Sequence, residues 1–279
     1  MNNIEKGVPI FRHLEDEDNL LENRDGPIAE GQELIAEQLA STIYTEYITD
    51  ECKALFIICS TKKRSLETAE MISSYLKKLD SNLKVLITKD PSLREIDQGK
   101  VILPADYNVG DKFEGLLLAG NIFFKEVFGG DKEGGQDNYS YRYSDPLLQD
   151  DGTYKYPELK EFFSEPGESY KDILVRLYEQ VISFAGKAGR FNEKIKFVIC
   201  SHGQTAQIFQ DLVEASNLFK EKEINIKQGA LPRLCWELFK KRTKQRLDLG
   251  EFDFLSMDHI FNEEMIQILK REVDFLKAN

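Results

Sequence analysis

The sequence predicts an α/β fold: three layers (α/β/α) with a mostly parallel central sheet between helices, an inserted helical and loop subdomain, and a C-terminal helix. Three observations predict it. Short segments apolar on both faces recur along the chain, as strands buried between two helical layers must be. Amphipathic helical stretches alternate with them, which is the pattern of the layered α/β class. Polar residues able to hold an anion collect directly after the strands, the edge where ligands meet open α/β sheets.

The strand segments are VPIF (8–11), ALFIIC (54–59), LKVLIT (83–88) and KFVIC (196–200). Between the first two, residues 31–48 read as a helix with Leu34, Ile35, Leu39 and Ile43 on its apolar face. Residues 64–79 give a second helix, with Leu66, Ala69, Ile72 and Leu76 on one side. Residues 169–189 give a third, opened by Pro166-Gly167 and stopped by glycines, and residues 205–216 a fourth. LPRLCWEL (231–238) reads as a late edge strand, since Pro232 lacks a ladder donor and fits only an edge. In 257–277, Phe261, Met265, Ile268, Leu269, Val273 and Leu276 fall at helical spacing.

Residues 100–165 break the alternation with two glycine pairs and clusters of Asp, Tyr and Pro. They read as an insert with one helix (113–128) and a long loop, a lid or specificity wall over the pocket. The domain reading is therefore one domain over 1–279, with the 100–165 insert and a helical extension over 241–279.

Composition sets outer limits. At 41% hydrophobic residues with 18 phenylalanines, the 279-residue chain can build a sizeable core. A net charge of −12 has the wrong sign for a general nucleic-acid or anionic-membrane binder. No apolar run approaches a membrane span, and the N-terminus MNNIEKGVPIF has no basic segment followed by an apolar one, so no secretion signal is expected. The four cysteines make no disulfide framework; Cys59 and Cys200 end apolar runs as buried thiols do, so a cytoplasmic protein is expected.

Two tempting phosphate loops fail on context. GPIAEGQE places Gln32 where a P-loop needs lysine, and GGDKEGG (129–135) lacks the strand–turn–helix setting. The strand ends are more informative. Arg12-His13, Ser60 with Arg64 one helical turn later, Glu95 and His202-Gly203 all fall at or just past them. Arg64 opens a helix, whose positive end adds to its own charge. Two of the chain's three histidines meet two arginines and a carboxylate there. Such a set makes an anion pocket that contains a nucleophile. Taken singly, Arg12-His13 reads as a paired structural cluster and His202 as a core histidine; it is the co-location that favours chemistry.

Five blocks in order carry a family resemblance: FRHLEDEDN with Glu15 and Asn19, STKKRSLETAE, LREIDQGK, PGESYKDILVRL and VICSHGQTAQ. Over roughly residues 7–240 the chain resembles the histidine phosphatase superfamily, the phosphoglycerate-mutase-like proteins. The resemblance implies a metal-independent phosphatase that hydrolyses a phosphate monoester through a phosphohistidine intermediate. It implies that His13 is the nucleophile and that Arg12, Arg64 and His202 clamp the phosphoryl oxygens. Glu95 is then the general acid and later the base, and Asn19 lends its amide to the phosphate or its water. Glu168 is expected to be structural at its helix start, His259 structural or on the surface, and Asp97 competes with Glu95 for the acid's role. No cofactor is implied. No metal is implied either, and no His/Cys run shows ligand spacing.

Two departures stand out. Leu14 follows the nucleophile where the family has a small residue, and is expected either to crowd the phosphate or to point into the core. Thr61-Lys62-Lys63 replaces the usual residues before Arg64, with the lysines adding positive potential at the mouth or lying solvated. Within NYSYRYSDP (138–146), Arg142 could act as the arginine that mutases carry in an insert, but an aromatic loop over the core is the plainer reading. A mutase and a catalytically weak member that binds phosphorylated ligands or proteins remain the alternatives. The expected partner is a small phosphorylated substrate or a phosphopeptide, bound by a monomer or homodimer.

Overall fold

β-branched and aromatic residues set the strands, and the computed structural model pairs five of them into one sheet. It describes residues 7–14, 27–95, 100–101, 163–165, 168–188, 192–221, 227–242, 252–255 and 262–278. The sheet's strands are β1 (Val8–Arg12), β2 (Ala54–Cys59), β3 (Lys84–Lys89), β6 (Ile195–Ser201) and β7 (Phe252–Leu255), in the order β3-β2-β6-β1-β7; the chain's other pair is β4 (Lys100–Val101) with β5 (Phe163–Glu165). β1, β2, β3 and β6 run parallel, while β7 closes the edge antiparallel to β1.

Alternation along each strand sorts the core into two faces. Phe11, Leu55, Ile57, Cys59, Val85, Val198 and Cys200 pack beneath α1 (Glu33–Glu46) and α2 (Lys63–Leu79). On the opposite face, Phe184 of α3 (Tyr170–Ala188) meets Phe197 of β6 with ring centroids 6.0 Å apart. α4 (Gly203–Glu221) covers β1 on this side and packs on α5 (Ala230–Arg242). Three layers result, as the periodicities predict. The last helix, α6 (Glu263–Ala278), buries Met265, Ile268, Leu269, Val273 and Leu276.

The apolar face of α1 is corrected. Ala36, Leu39, Ala40 and Ile43 are buried, whereas Leu34 is 70% exposed. Small alanines let α1 sit close to α2, and Leu34 falls one position outside that stripe. On α2 the expected Ala69, Ile72 and Leu76 are buried and Leu66 packs against them.

The predicted edge strand at 231–238 is instead part of α5. Pro232 stands in the first helical turn, where a backbone N–H has no intrahelical partner to lose. Leu231, Cys235, Leu238 and Phe239 are buried at helical spacing. The edge position belongs to β7, in register Val8 with Leu255 and Phe11 with Phe252.

The chain divides into two compact units: Met1–Asn19, Asn23–Glu95 and Arg176–Asn279 form one, and Leu20–Glu22 with Ile96–Val175 the other. Within the second, β4 (Lys100–Val101) and β5 (Phe163–Glu165) pair antiparallel. There Ser169 and Asp172 cap the start of α3 reciprocally, with Asp172 accepting from the Ser169 N–H at 2.9 Å and Ser169 Oγ accepting from the Asp172 N–H at 3.1 Å. The predicted helix at 113–128 lies outside the described residues. Among the described residues, no helix is long and apolar enough to cross a membrane. All four cysteines are free and buried.

Candidate active site

Parallel pairing brings three strand ends to one edge. Cys59 of β2 and Phe11 of β1 both stand opposite Cys200 of β6, and Arg12 stands opposite Ser201. The next residues in each strand, His13, Ser60 and His202, therefore emerge side by side. The His13 N–H donates to the Ser201 carbonyl at 2.9 Å, and the Ser60 N–H to the Cys200 carbonyl at 3.2 Å. α2 starts at the same edge with no side-chain cap on its N-terminus, so the positive end of the helix is left for the crevice.

His13 is 3% exposed. Its Nδ1 lies 2.5 Å from the Leu14 carbonyl, which only accepts, so Nδ1 carries the proton. Burial, with the charges of His202 and Arg64, lowers its pKa to about 3 against the accepting carbonyl's opposing pull. The ring is thus neutral at physiological pH, and its Nε2 carries the lone pair.

His202 is fully buried, its ring centroid 4.9 Å from that of His13. Its Nδ1 lies 3.3 Å from both Glu95 Oε2 and Arg64 Nε. One nitrogen serves one of these at a time: protonated, it donates to the carboxylate; bare, it accepts from the guanidinium. Ser60 Oγ, 2.9 Å from Nε2, suits either tautomer because a hydroxyl both gives and accepts. Burial lowers the pKa of His202, and Arg64 and Lys62 add to that, while the Glu95 carboxylate opposes them.

Arg64, 6% exposed, donates from Nη2 to Glu95 Oε2 at 2.7 Å. Burial raises the Glu95 pKa, but the His202 contact and the nearby positive charge outweigh it and hold the carboxyl below its usual range. With its side chain 26% exposed, Glu95 rests as a carboxylate at the mouth. Arg12 ends β1, and its buried Nε has no hydrogen-bond partner among the described residues. Its guanidinium lies over Gly203, where an added Cβ would come within 3.5 Å of Nε. A buried guanidinium N–H without an acceptor is a place for an anion.

Leu14 resolves plainly. It is fully buried in the core with Phe11 and Ile57, and its backbone N–H donates to Thr68 Oγ1 at 3.0 Å. The side chain packs into the core rather than into the crevice. Lys63 pairs along α2 with Glu67 at 3.7 Å, while the charge of Lys62 adds to the field at His202. Burial pushes the Cys59 thiol up to about 11 and the Cys200 thiol higher still, so neither neighbouring sulfur is a nucleophile at neutral pH.

The absence of ligand spacing in the sequence does not carry over to space. Ligand atoms of His13, Glu95 and His202 lie within 4.8 Å of one another, a set that could hold a metal ion. Arg64 stands in the same cluster and shares Glu95, and its fixed positive charge favours an anion there. Asn19, Asp97, Arg142 and His259 lie outside the described residues.

Sequence reasoning missed the side chains that hold this set from behind. Thr68 bridges Leu14 and the Arg64 carbonyl, which it meets at 2.7 Å, and Arg176, Ser201 and Thr205 grip the segment before Glu95. A detectable signal was Arg176 itself, a charged residue between Leu174 and Leu177 on an otherwise apolar helix stripe.

No family model matches the chain, and no curated protein does. Solved structures do. One is an Escherichia coli protein assigned as an alpha-ribazole-5'-P phosphatase, at 12% identity and TM-score 0.43, covering 88% of each chain. Another is the alpha-ribazole phosphatase of Shigella flexneri, at 14% identity and TM-score 0.41, covering 88% of this chain and 87% of that one. A third, from Nakamurella multipartitia, is assigned as the phosphohistidine phosphatase SixA, at 10% identity and TM-score 0.38, covering 88% and 81%.

Proposed function

We propose that this protein hydrolyses a phosphate monoester through a phosphohistidine on His13. One observation carries the reading. His13 Nδ1 is committed to the Leu14 carbonyl, which leaves a neutral ring with a bare Nε2 beside two arginines. A neutral imidazole so oriented is a nucleophile, and the cations around it select a phosphoryl group as its target.

His13 Nε2 attacks phosphorus, forming the N–P bond as the P–O bond to the leaving alcohol breaks. The Leu14 carbonyl stabilises the positive charge that develops on the ring. Arg12, Arg64 and His202 hold the equatorial oxygens, where fixed donors count most because charge is redistributed there in the transition state. Glu95 supplies the leaving oxygen's proton. In the free site the His202 contact, with Arg64 beside it, keeps Glu95 ionised. A bound phosphoryl group draws the guanidinium to itself and adds negative charge beside the carboxylate, and both effects raise its proton affinity. An ester bound as its monoanion brings that proton. In the second half, water attacks the phosphohistidine, Glu95 accepts a proton from it, and inorganic phosphate leaves with His13 neutral again. These residues complete both halves without a metal ion.

The test is release of phosphate from p-nitrophenyl phosphate with a chelator present, comparing the wild type with His13→Ala. Chelator-insensitive turnover is expected in the wild type, with an acid-labile phosphoenzyme on rapid quench and neither signal in the variant. A folded wild type inactive from pH 4 to 8, or a fully active His13→Ala protein, overturns the proposal.

A further inference from the structure

Glu95 ends a short segment that leaves β3 at Asp90 and makes one 3-10 turn over Pro91–Leu93. Asp90 caps that turn, its Oδ1 accepting from the Ser92 N–H at 2.9 Å. Three successive carbonyls just ahead of Glu95 are each held by a side chain from another element. The Ser92 carbonyl accepts from Arg176 Nη1. The Leu93 carbonyl accepts from Ser201 Oγ at 2.9 Å. The Arg94 carbonyl accepts twice, from Arg176 Nη2 at 3.1 Å and from Thr205 Oγ1 at 2.8 Å.

The donors are not scattered. Arg176 lies on α3, where one planar guanidinium reaches two carbonyls two residues apart, a geometry a lysine ammonium does not reproduce. Ser201 and Thr205 stand on either side of His202 in the chain. The carbonyl that shares Glu95's own peptide bond is thereby tied to the stretch carrying a phosphate-clamp residue. Helix capping needs none of this, because the turn already has Asp90. Loops normally satisfy their carbonyls with water, so three side-chain donors on consecutive carbonyls fix where the next residue stands.

We propose that Arg176, assisted by Thr205, is the positioning residue for Glu95. It holds the carboxyl at the distance where a proton passes to the leaving oxygen. The inference rests on the phosphatase reading and assigns Arg176 no contact with substrate. Proton transfer in the transition state needs the donor within hydrogen-bond reach, and a misplacement of about 1 Å costs on the order of a hundredfold.

Leaving-group dependence separates this role from general support of the fold. p-Nitrophenolate departs without a proton, whereas an alkoxide needs one. Arg176→Gln is therefore expected to lower kcat/KM, which reports only the half-reaction that expels the alcohol, at least about tenfold on a simple alkyl phosphate and less than about threefold on p-nitrophenyl phosphate. Inhibition by inorganic phosphate should stay within about twofold, since the clamp is untouched. Arg176→Lys should reproduce the pattern, and Glu95→Gln should exceed it. Equal losses on both esters, or no loss on either, overturn the proposal. If Arg176→Gln does not fold, Thr205→Val removes one donor to the Arg94 carbonyl at nearly constant volume, and the same contrast, smaller, decides. A wild type inactive on both esters sinks the phosphatase reading separately. Amide hydrogen exchange over Ser92–Glu95 then judges the positioning alone: at least about tenfold faster exchange in the variant supports it, and unchanged exchange refutes it.

Discussion

Acidifying the protein from pH 7 to pH 5 is expected to destabilise it through His13. The ring titrates near 6.5 in an unfolded chain and near 3 in the fold, chiefly because burial penalises the charged form. Below pH 6.5 the unfolded chain takes up a proton that the folded chain refuses, so stability falls as pH falls. Each pH unit is worth about 1.4 kcal/mol, and the 1.5 units from 6.5 to 5 give about 2 kcal/mol. With the side chain 3% exposed, solvent screening takes little from this figure. His202 is displaced in the same direction and steepens the loss. Glu95, held below its ordinary 4.5, loses its ion-pair stabilisation only at lower pH, so stopping at pH 5 keeps it out. The assay is urea unfolding of the wild type and His13→Asn at pH 7 and pH 5. The wild type should lose about 2 kcal/mol more than the variant between the two, while effects of overall charge cancel in the comparison. Identical losses would show that His13 titrates normally in the fold, and the buried-neutral nucleophile would be refuted.

Two further outcomes test the packing of the core. Leu14→Ala should cost about 2–5 kcal/mol in urea unfolding without raising turnover, because Leu14 fills the core rather than the pocket; a more active, equally stable variant would contradict this. Gly229 adopts φ +83 with Phe275 ring atoms 2.9 Å from where a Cβ would stand, so Gly229→Ala should lower stability by about 1–3 kcal/mol. An unchanged melting temperature would mean that the turn before α5 relaxes freely.

Much of the site was legible because its residues follow strand ends, and strand ends show as the close of an apolar run. His13, Arg64, Glu95 and His202 were found that way, and the structure brings all four together. Arg12 stands at the same edge, over Gly203. Residues 231–238 misled because a proline among apolar residues fits an edge strand or a first helical turn equally well, and only the buried positions distinguish them. Leu34 misled because helical spacing names a face but not the width of what covers it.

The sequence by itself determined the layered α/β class, the alternation of strand and helix, and the residue types at the crevice. Each of these is written in windows of a few to twenty residues, where periodicity and propensity act locally. Only the tertiary structure decided which way Leu14 points, which nitrogen of His13 is bare, and that Arg64 meets His202 from 138 positions away. The grip of Arg176 on the carbonyls before Glu95, across 82 positions, belongs with them. Such contacts carry no local pattern, because a hydrogen bond depends on distance and direction in space, and those exist only once the chain has closed on itself.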